Sequence, residues 1–339
     1  MSERTDFAVD PEPVSDLAVD AEFALLLTHD VDRPYKTVQS VYHAIRQRDP
    51  RQLKSLLPGV NPWWQFEEIM ELEDSLGVRS AFYFLREPHI LARDAGDLLD
   101  PFYWIEHAGR YDLDTPEMLD VLDRLRDGGW EVGLHGSYDS YDDPDRLRTE
   151  KTALETALGH GVKGGRQHHL NCGPNTWEYH REIGLQYDAS PGSSTQFGFD
   201  HGYQPFRPFG DGFVVFPLTL MEMALPDPGE DPEAAWDVCE RLLEEAADES
   251  AVMSALWHPR LFTVEDFPGH RRIYRRLIER AQEMGAWVGS PGEYYDRMTH
   301  PTPGKAASDS TDGETKIHLQ TGNAGDNKAP TGINTEPTG

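Results

Sequence analysis

Short apolar runs alternate with longer amphipathic segments along most of the chain. The runs fall at residues 23–27, 78–85, 130–134, 162–165, 185–187, 213–216, 252–257 and 286–288. Near-continuous apolarity over so few residues suits strands of a parallel sheet covered on both faces. The segments between them carry helical spacing. Residues 64–75 place Phe66, Ile69 and Met70 on one face. Residues 115–126 open with Thr115, Pro116 and Glu117, an N-cap, a first-turn proline and a first-turn acid, and then show Leu119, Leu122 and Leu125 as one stripe. Residues 144–158 and 233–247 read the same way, and 270–284 carries Ile273, Leu277 and Ala281 and stops at Gly285. A further helix is expected near 35–45. Strand and helix alternating in this way predict an α/β fold, and about eight strands predict a barrel whose functional face lies at the carboxyl ends of the strands.

The pattern fades at both ends. Residues 1–20 are polar and acidic and are expected to form a flexible arm. Residues 301–339 hold almost no large apolar side chain, so the expectation is a disordered tail flanking a folded part at 21–300.

Composition changes the picture in one respect. The 60 acidic residues outnumber the 31 basic ones, for a formal charge of −29, and the acids are spread along the chain. Up to residue 300 the only lysines are Lys36, Lys54, Lys151 and Lys163. Such a surface repels itself unless salt screens it, which suits a salt-rich cytoplasm of the halophilic kind. It also argues against nucleic acid or an anionic membrane surface as a partner. No apolar run reaches the length of a membrane span and no apolar leader is visible, so a soluble cytoplasmic protein is expected. Cys172 and Cys239 form no CxxC pair, which leaves no zinc ribbon or disulfide scaffold to expect.

Chemistry-bearing residues gather where the strands end. Thr28-His29-Asp30-Val31-Asp32 sends two carboxylates off the first strand two residues apart, on one side of an extended chain. Carboxylates that close raise one another's pKa unless a cation compensates, and a divalent ion would leave one Asp as ligand and one as base. The same residues would also serve as a turn before the next helix. His135 follows the third strand, with Asp139 four residues on. Arg166, His168 and His169 follow the fourth, Asp188 the fifth, and His258-Pro259-Arg260 the seventh. Each alone is an ordinary loop residue; their convergence on one barrel face favours a site.

In this order, across about residues 22–298, the chain resembles the polysaccharide deacetylases of carbohydrate esterase family 4, the NodB-homology group. The resemblance implies a distorted (β/α) barrel of seven to eight parallel strands. Thr28-His29-Asp30-Val31-Asp32 is similar to the family's T-F-D-D-G motif in a D-x-D form, which makes Asp30 the general base and Asp32 a metal ligand. His135 matches the first histidine of H-(S/T)-x-x-H. The second is replaced by Asp139, so Asp139 or His168 is expected to complete the metal shell. Arg166 matches the arginine that orients the base. Asp188-Ala189-Ser190 resembles the motif whose Asp supports the last histidine, and Leu256-Trp257-His258 fits L-x-H, with His258 as general acid. The implied cofactor is a divalent metal, most simply zinc, and the implied substrate an N- or O-acetylated sugar or glycan precursor. The departures place the chain in a divergent D-x-D branch, which its composition suggests is haloarchaeal. Two alternatives stay open: a metal-free barrel that binds carbohydrate or regulates, and an amidohydrolase acting on a small non-glycan C–N substrate. Tyr138, Tyr141, Trp257 and Phe262 are candidates for a sugar platform or for core packing.

Overall fold

The computed structural model describes residues 12–14, 17–36, 39–46, 48–57, 59–87 and 110–300. The tail at 301–339 and most of the N-terminal arm lie outside them. One compact unit spans Met1–Pro301.

The strands are β1 (Glu12–Pro13), β2 (Ala24–Val31), β3 (Ala81–Leu85), β4 (Glu131–Gly136), β5 (Gly164–Gln167), β6 (Tyr187–Asp188), β7 (Phe206–Arg207), β8 (Val214–Val215), β9 (Leu220–Met221), β10 (Val252–Leu256) and β11 (Trp287–Gly289). The helices are α1 (Gln39–Arg46), α2 (Phe66–Leu76), α3 (Pro116–Gly128), α4 (Pro144–Leu158), α5 (Thr176–Glu182), α6 (Pro232–Asp248), α7 (His270–Glu283) and α8 (Pro291–Thr299). All the strands join one sheet in the order β1-β7-β8-β6-β5-β4-β3-β2-β10-β9, with β11 also on β2. The pairings of β7 with β1 and β8 are antiparallel and the others parallel. The result is a curled, mostly parallel half-barrel.

The ladder does not close. Residues 216–219 instead carry the chain across the gap between β6 and β10. Phe216 N donates to Asp188 O at 2.8 Å, Leu218 N to Pro191 O at 2.7 Å and Thr219 N to Ser254 O at 2.9 Å. The eight expected strands are present with shifted ends. The two-residue β1, β7 and β9 are additional, since so short a pairing leaves no periodicity to read.

Alternation along β2 sorts its side chains. Ala24 and Leu26 pack inside the curl with Tyr83, Tyr187 and Phe216, whereas Leu25, Leu27 and Val31 pack outside against the helices. With period two, Thr28 and Asp30 share the inner face and His29 the outer. Glycines make room for the inner tyrosines. A Cβ at Gly133 would come within 2.6 Å of the Tyr83 ring and one at Gly164 within 2.3 Å of the Tyr187 ring. The two phenols meet at 3.1 Å, filling the barrel floor beneath the site.

Four helices start alike. Thr115, Asp143, Asp231 and Ser290 each accept a first-turn N–H, and each is followed by proline. Gly285, the expected stop of α7, sits at φ +84° just past the Met284 cap. The short α5 and α8 were not legible as amphipathic runs. Trp257 and Phe262 are fully buried in a cluster with His29 and Tyr274, so they are core residues rather than a platform. Tyr138 and Tyr141 are half-buried. Cys172 and Cys239 are both free thiols. Among the described residues no helix is long and apolar enough to cross a membrane.

Candidate active site

The end of β2 and the residue just after it place Asp30 and Asp32 in the mouth of the curl, 3 % and 8 % exposed. Tyr111 pins this strand end, donating to Val31 O at 2.7 Å and accepting from Leu85 N at 2.9 Å. His135 on β4 and Arg166 on β5 are register partners, so their side chains arrive side by side.

Arg166 is fully buried and lies over the Tyr83 ring. Its Nη1 donates to Asp30 Oδ1 at 2.8 Å and to Thr28 Oγ1 at 2.9 Å, and its Nε to Ala189 O at 2.7 Å. Burial alone would keep the Asp30 carboxyl protonated. The guanidinium, with His135 and His258 behind it, overrides this and holds Asp30 below the usual carboxylate range. Asp32 is likewise held below the usual carboxylate range, against burial, by Arg260, His258 and His168. Arg260 Nη1 donates to Asp32 Oδ1 at 2.5 Å.

The histidines point their Nε2 atoms at these carboxylates. His135 Nδ1 lies 2.9 Å from Arg166 O, which makes that nitrogen the donor and leaves Nε2 with a lone pair. Burial, partly opposed by Asp30, pushes the His135 pKa down to about 4, so the ring is neutral near pH 7. Its bare Nε2 faces Asp30 Oδ2 at 3.8 Å, acceptor to acceptor. His168 Nε2 and His258 Nε2 stand 4.0 Å and 3.9 Å from Asp32 Oδ2. The His135 and His168 rings are 5.2 Å apart, and Glu87 Oε1 lies 3.6 Å behind His168 at Nδ1. Two successive left-handed residues, His169 and Leu170, turn the chain sharply just after His168.

Asp139 does not join the cluster. It caps the turn Ser140–Asp142, is exposed, and meets Arg146 at 3.4 Å. The segment after β4 is drawn away by Glu150, which accepts from Ser137 N and Ser137 Oγ. His168, not Asp139, is therefore the second nitrogen or oxygen donor beside His135.

Asp188 is also placed elsewhere than the resemblance implied. Its carboxylate accepts from Trp177 Nε1 at 3.0 Å, from Ser190 N at 3.1 Å and from Ser190 Oγ at 2.6 Å, with His180 Nδ1 at 3.2 Å. Burial opposes its charge, while His180 and Ser190 hold its pKa down. Asp188 thus fixes the β6 end, whose Ala189 carbonyl anchors Arg166. The group behind His258 is Glu222, fully buried, with Oε1 at 2.5 Å from His258 Nδ1. Burial would strip the imidazole's proton, but Glu222 outweighs it and raises the His258 pKa above its ordinary value.

Glu222, Glu87 and the use of Arg260 were missed in the sequence. The only signal for Glu222 was an acid directly after an apolar run at 213–221. Around the mouth, Asp30, Asp32, Glu87 and Glu222 face Arg166 and Arg260. Four carboxylates outweigh two guanidiniums and the proton that Glu222 favours on His258, so the mouth is net negative. The donor set of Asp32, His135 and His168 has the N/O character that suits zinc. Among the described residues no three His, Cys, Asp or Glu are drawn in tightly enough to enclose an ion as they stand. Donors about 2.1 Å from a tetrahedral ion are about 3.4 Å apart, and His168 Nε2 stands 4.0 Å from Asp32 Oδ2, somewhat wider than that. The chemistry and charge of these donors fit a divalent ion.

No protein-family model and no curated protein matches the chain. Solved structures do. A Mycobacterium smegmatis protein assigned as a polysaccharide deacetylase is 18 % identical with a TM-score of 0.55, over 86 % of this chain and 95 % of its own. A Pseudomonas aeruginosa PAO1 protein of the same assignment is 15 % identical, TM-score 0.55, over 84 % and 94 %. PuuE allantoinase is 16 % identical, TM-score 0.53, over 83 % and 92 %. The chain therefore has the fold these hydrolases share.

Proposed function

We propose that the protein is a hydrolase that removes an acetyl group from a sugar or glycan precursor, with a divalent ion, most simply zinc, held by Asp32, His135 and His168. One observation carries this reading: an ionised, arginine-pinned carboxylate and a carboxylate-backed histidine face one another across a set of nitrogen and oxygen donors in a single buried mouth. The two groups have pKa values pushed in opposite directions, the mark of an acid–base pair.

When bound, such an ion acidifies a water and draws charge from an acyl carbonyl. Asp30 is kept unprotonated and aimed by Arg166, and it takes the proton of the water whose oxygen adds to the carbonyl carbon. Glu222 holds His258 at Nδ1, so the proton on Nε2 faces the mouth. His258 delivers that proton to the leaving nitrogen or oxygen as its bond to the acyl carbon breaks, and acetate departs.

The test is metal analysis of the purified protein followed by a deacetylation screen. Asp30→Asn and His258→Ala are expected each to lower kcat by about a hundredfold or more with folding intact. Glu222→Gln is expected to lower kcat with little change in KM, since it touches only the acid. Full turnover in Asp30→Asn would end the proposal, and protein without metal that nonetheless binds glycans would favour a non-catalytic role. The allantoinase-like fold favours a second reading, a small C–N substrate, and a panel of cyclic ureides and acylated amines beside the glycans separates the two.

The same proposal places the enzyme in a salt-rich cytoplasm, supported by the charge of −29. Screening shortens from about 10 Å at 0.1 M salt to about 3 Å at 1 M. Between those KCl concentrations the Tm is expected to rise by more than about 3 °C, the shift that about 2 kcal/mol gives in a domain of this size. A flat or falling Tm refutes the halophilic assignment.

A further inference from the structure

Arg260 lies two residues past His258, on the short turn Pro259–Phe262. Its side chain is 14 % exposed and that of Asp32 9 %, so their 2.5 Å pairing is made in the wall of the mouth rather than in bulk water. No step above uses this guanidinium; Arg166 serves Asp30, and among the described carboxylates Arg260 pairs with Asp32. Asp32 is divided between two neighbourhoods. Oδ1 belongs to Arg260, and Oδ2 faces the imidazoles of His168 and His258.

We propose that Arg260 is the counterion of Asp32 in the metal-free protein, restricts Asp32 to one coordinating oxygen, and competes with the divalent ion for the charge of that carboxylate. The inference rests on the metal reading above. A buried carboxylate with no partner is costly, and Arg260 removes that cost before any ion arrives. An ion that then binds relieves less strain than it otherwise would, and it must sit beside a like charge that stays in place. Arg260 also fixes the carboxylate rotamer, which assists binding. In a buried mouth the charge effect outweighs the freedom of one short side chain. Removal of Arg260 should therefore destabilise the empty protein and tighten the ion. An orienting role alone predicts the reverse for the ion.

The experiment uses metal-stripped full-length protein in high KCl. Zinc affinity is read by competition with a chromophoric chelator, and Tm is read with and without zinc, for wild type, Arg260→Gln and Arg260→Lys. Expected for Arg260→Gln are a lower zinc-free Tm, a zinc Kd about tenfold tighter than wild type, and a larger rise in Tm on adding zinc. Arg260→Lys keeps the charge and is expected to stay within about threefold of wild-type Kd. Wild type that binds zinc while Arg260→Gln binds it no tighter overturns the inference and leaves the metal reading standing. Equal tightening in the Lys and Gln variants also overturns it, because charge would then not be the cause. Wild type that takes up no zinc overturns the metal reading, and this inference with it.

Discussion

Arg166→Met is expected to lower the free energy of unfolding by about 3–5 kcal/mol, the range for breaking a buried ion pair from one side. The side chain is 1 % exposed and bonds Asp30, Thr28 and Ala189. Methionine fills much of the space but leaves Asp30 charged, buried and without its main counterion. Asp30 would hold its proton to higher pH than in wild type, which would also weaken the proposed base. The double variant Arg166→Met/Asp30→Asn carries no stranded charge and should regain a large part of the loss, because a neutral replacement of a buried pair is often tolerated. Urea midpoints at constant high KCl, with unchanged m values, give the comparison. A double variant no more stable than Arg166→Met would mean that the arginine acts through packing against Tyr83, and the electrostatic account of the site would fail.

That pair was visible in the sequence for a definite reason. β2, β4 and β5 are long enough to show their period, and parallel register places the last residues of neighbouring strands together. Asp30, Asp32, His135 and Arg166 could therefore be assigned to one face before any coordinates. His258 follows for the same reason, since β10 pairs with β2 up to Thr28. The expectation for the arrangement behind His258 went astray because it depends on long-range topology. Glu222 reaches Nδ1 only because residues 216–219 cross the open side of the barrel and set β9 beside β10. Nothing local marks that crossing. Asp188 illustrates the opposite. Its Asp-Ala-Ser segment is a local turn in which Ser190 bends back onto the carboxylate, and the turn consumes the acid the resemblance had given to His258. The choice between Asp139 and His168 likewise needed the backbone. A spacing of four residues brings two side chains together on a helix, whereas the chain after β4 leaves in a turn anchored by Glu150. Arg260 was in plain view, but its partner lies 228 residues away.

Glu73→Leu is expected to cost at least about 4 kcal/mol, although Glu73 lies outside the mouth and touches no proposed catalytic group. The carboxylate is fully buried on the outer face of the sheet. Its Oε2 accepts from Trp130 Nε1 at 2.7 Å, Ser80 Oγ at 2.9 Å and Ser80 N at 3.0 Å. Its Oε1 accepts from Tyr274 OH at 2.6 Å and lies 3.0 Å from His29 Nε2. Leucine would strand these groups, each worth about 1–3 kcal/mol when left buried without a partner. Glu73→Gln keeps the shape and one acceptor oxygen and should lose less. Acid should do the same work in the wild type. Burial favours the protonated carboxyl, but His29, Tyr274 and Trp130 hold the folded pKa below its ordinary value. Its contribution is then complete above about pH 5 and drains as the pH falls below about 4, where the unfolded chain has already taken its proton and the folded one must follow. Stability measured by urea from pH 7 to pH 3 should therefore fall less steeply in Glu73→Gln than in wild type, with the curves converging at the acid end. Parallel curves would show that folding leaves the Glu73 pKa unchanged, so that its partners do not favour the charged form. There is a link to the mouth: His29 Nδ1 lies 2.6 Å from Trp257 O, the carbonyl immediately before His258. If the network holds that carbonyl in place, Glu73→Gln should also lower kcat at pH 7 in protein that is fully folded, and a kcat equal to wild type would confine Glu73 to stability alone.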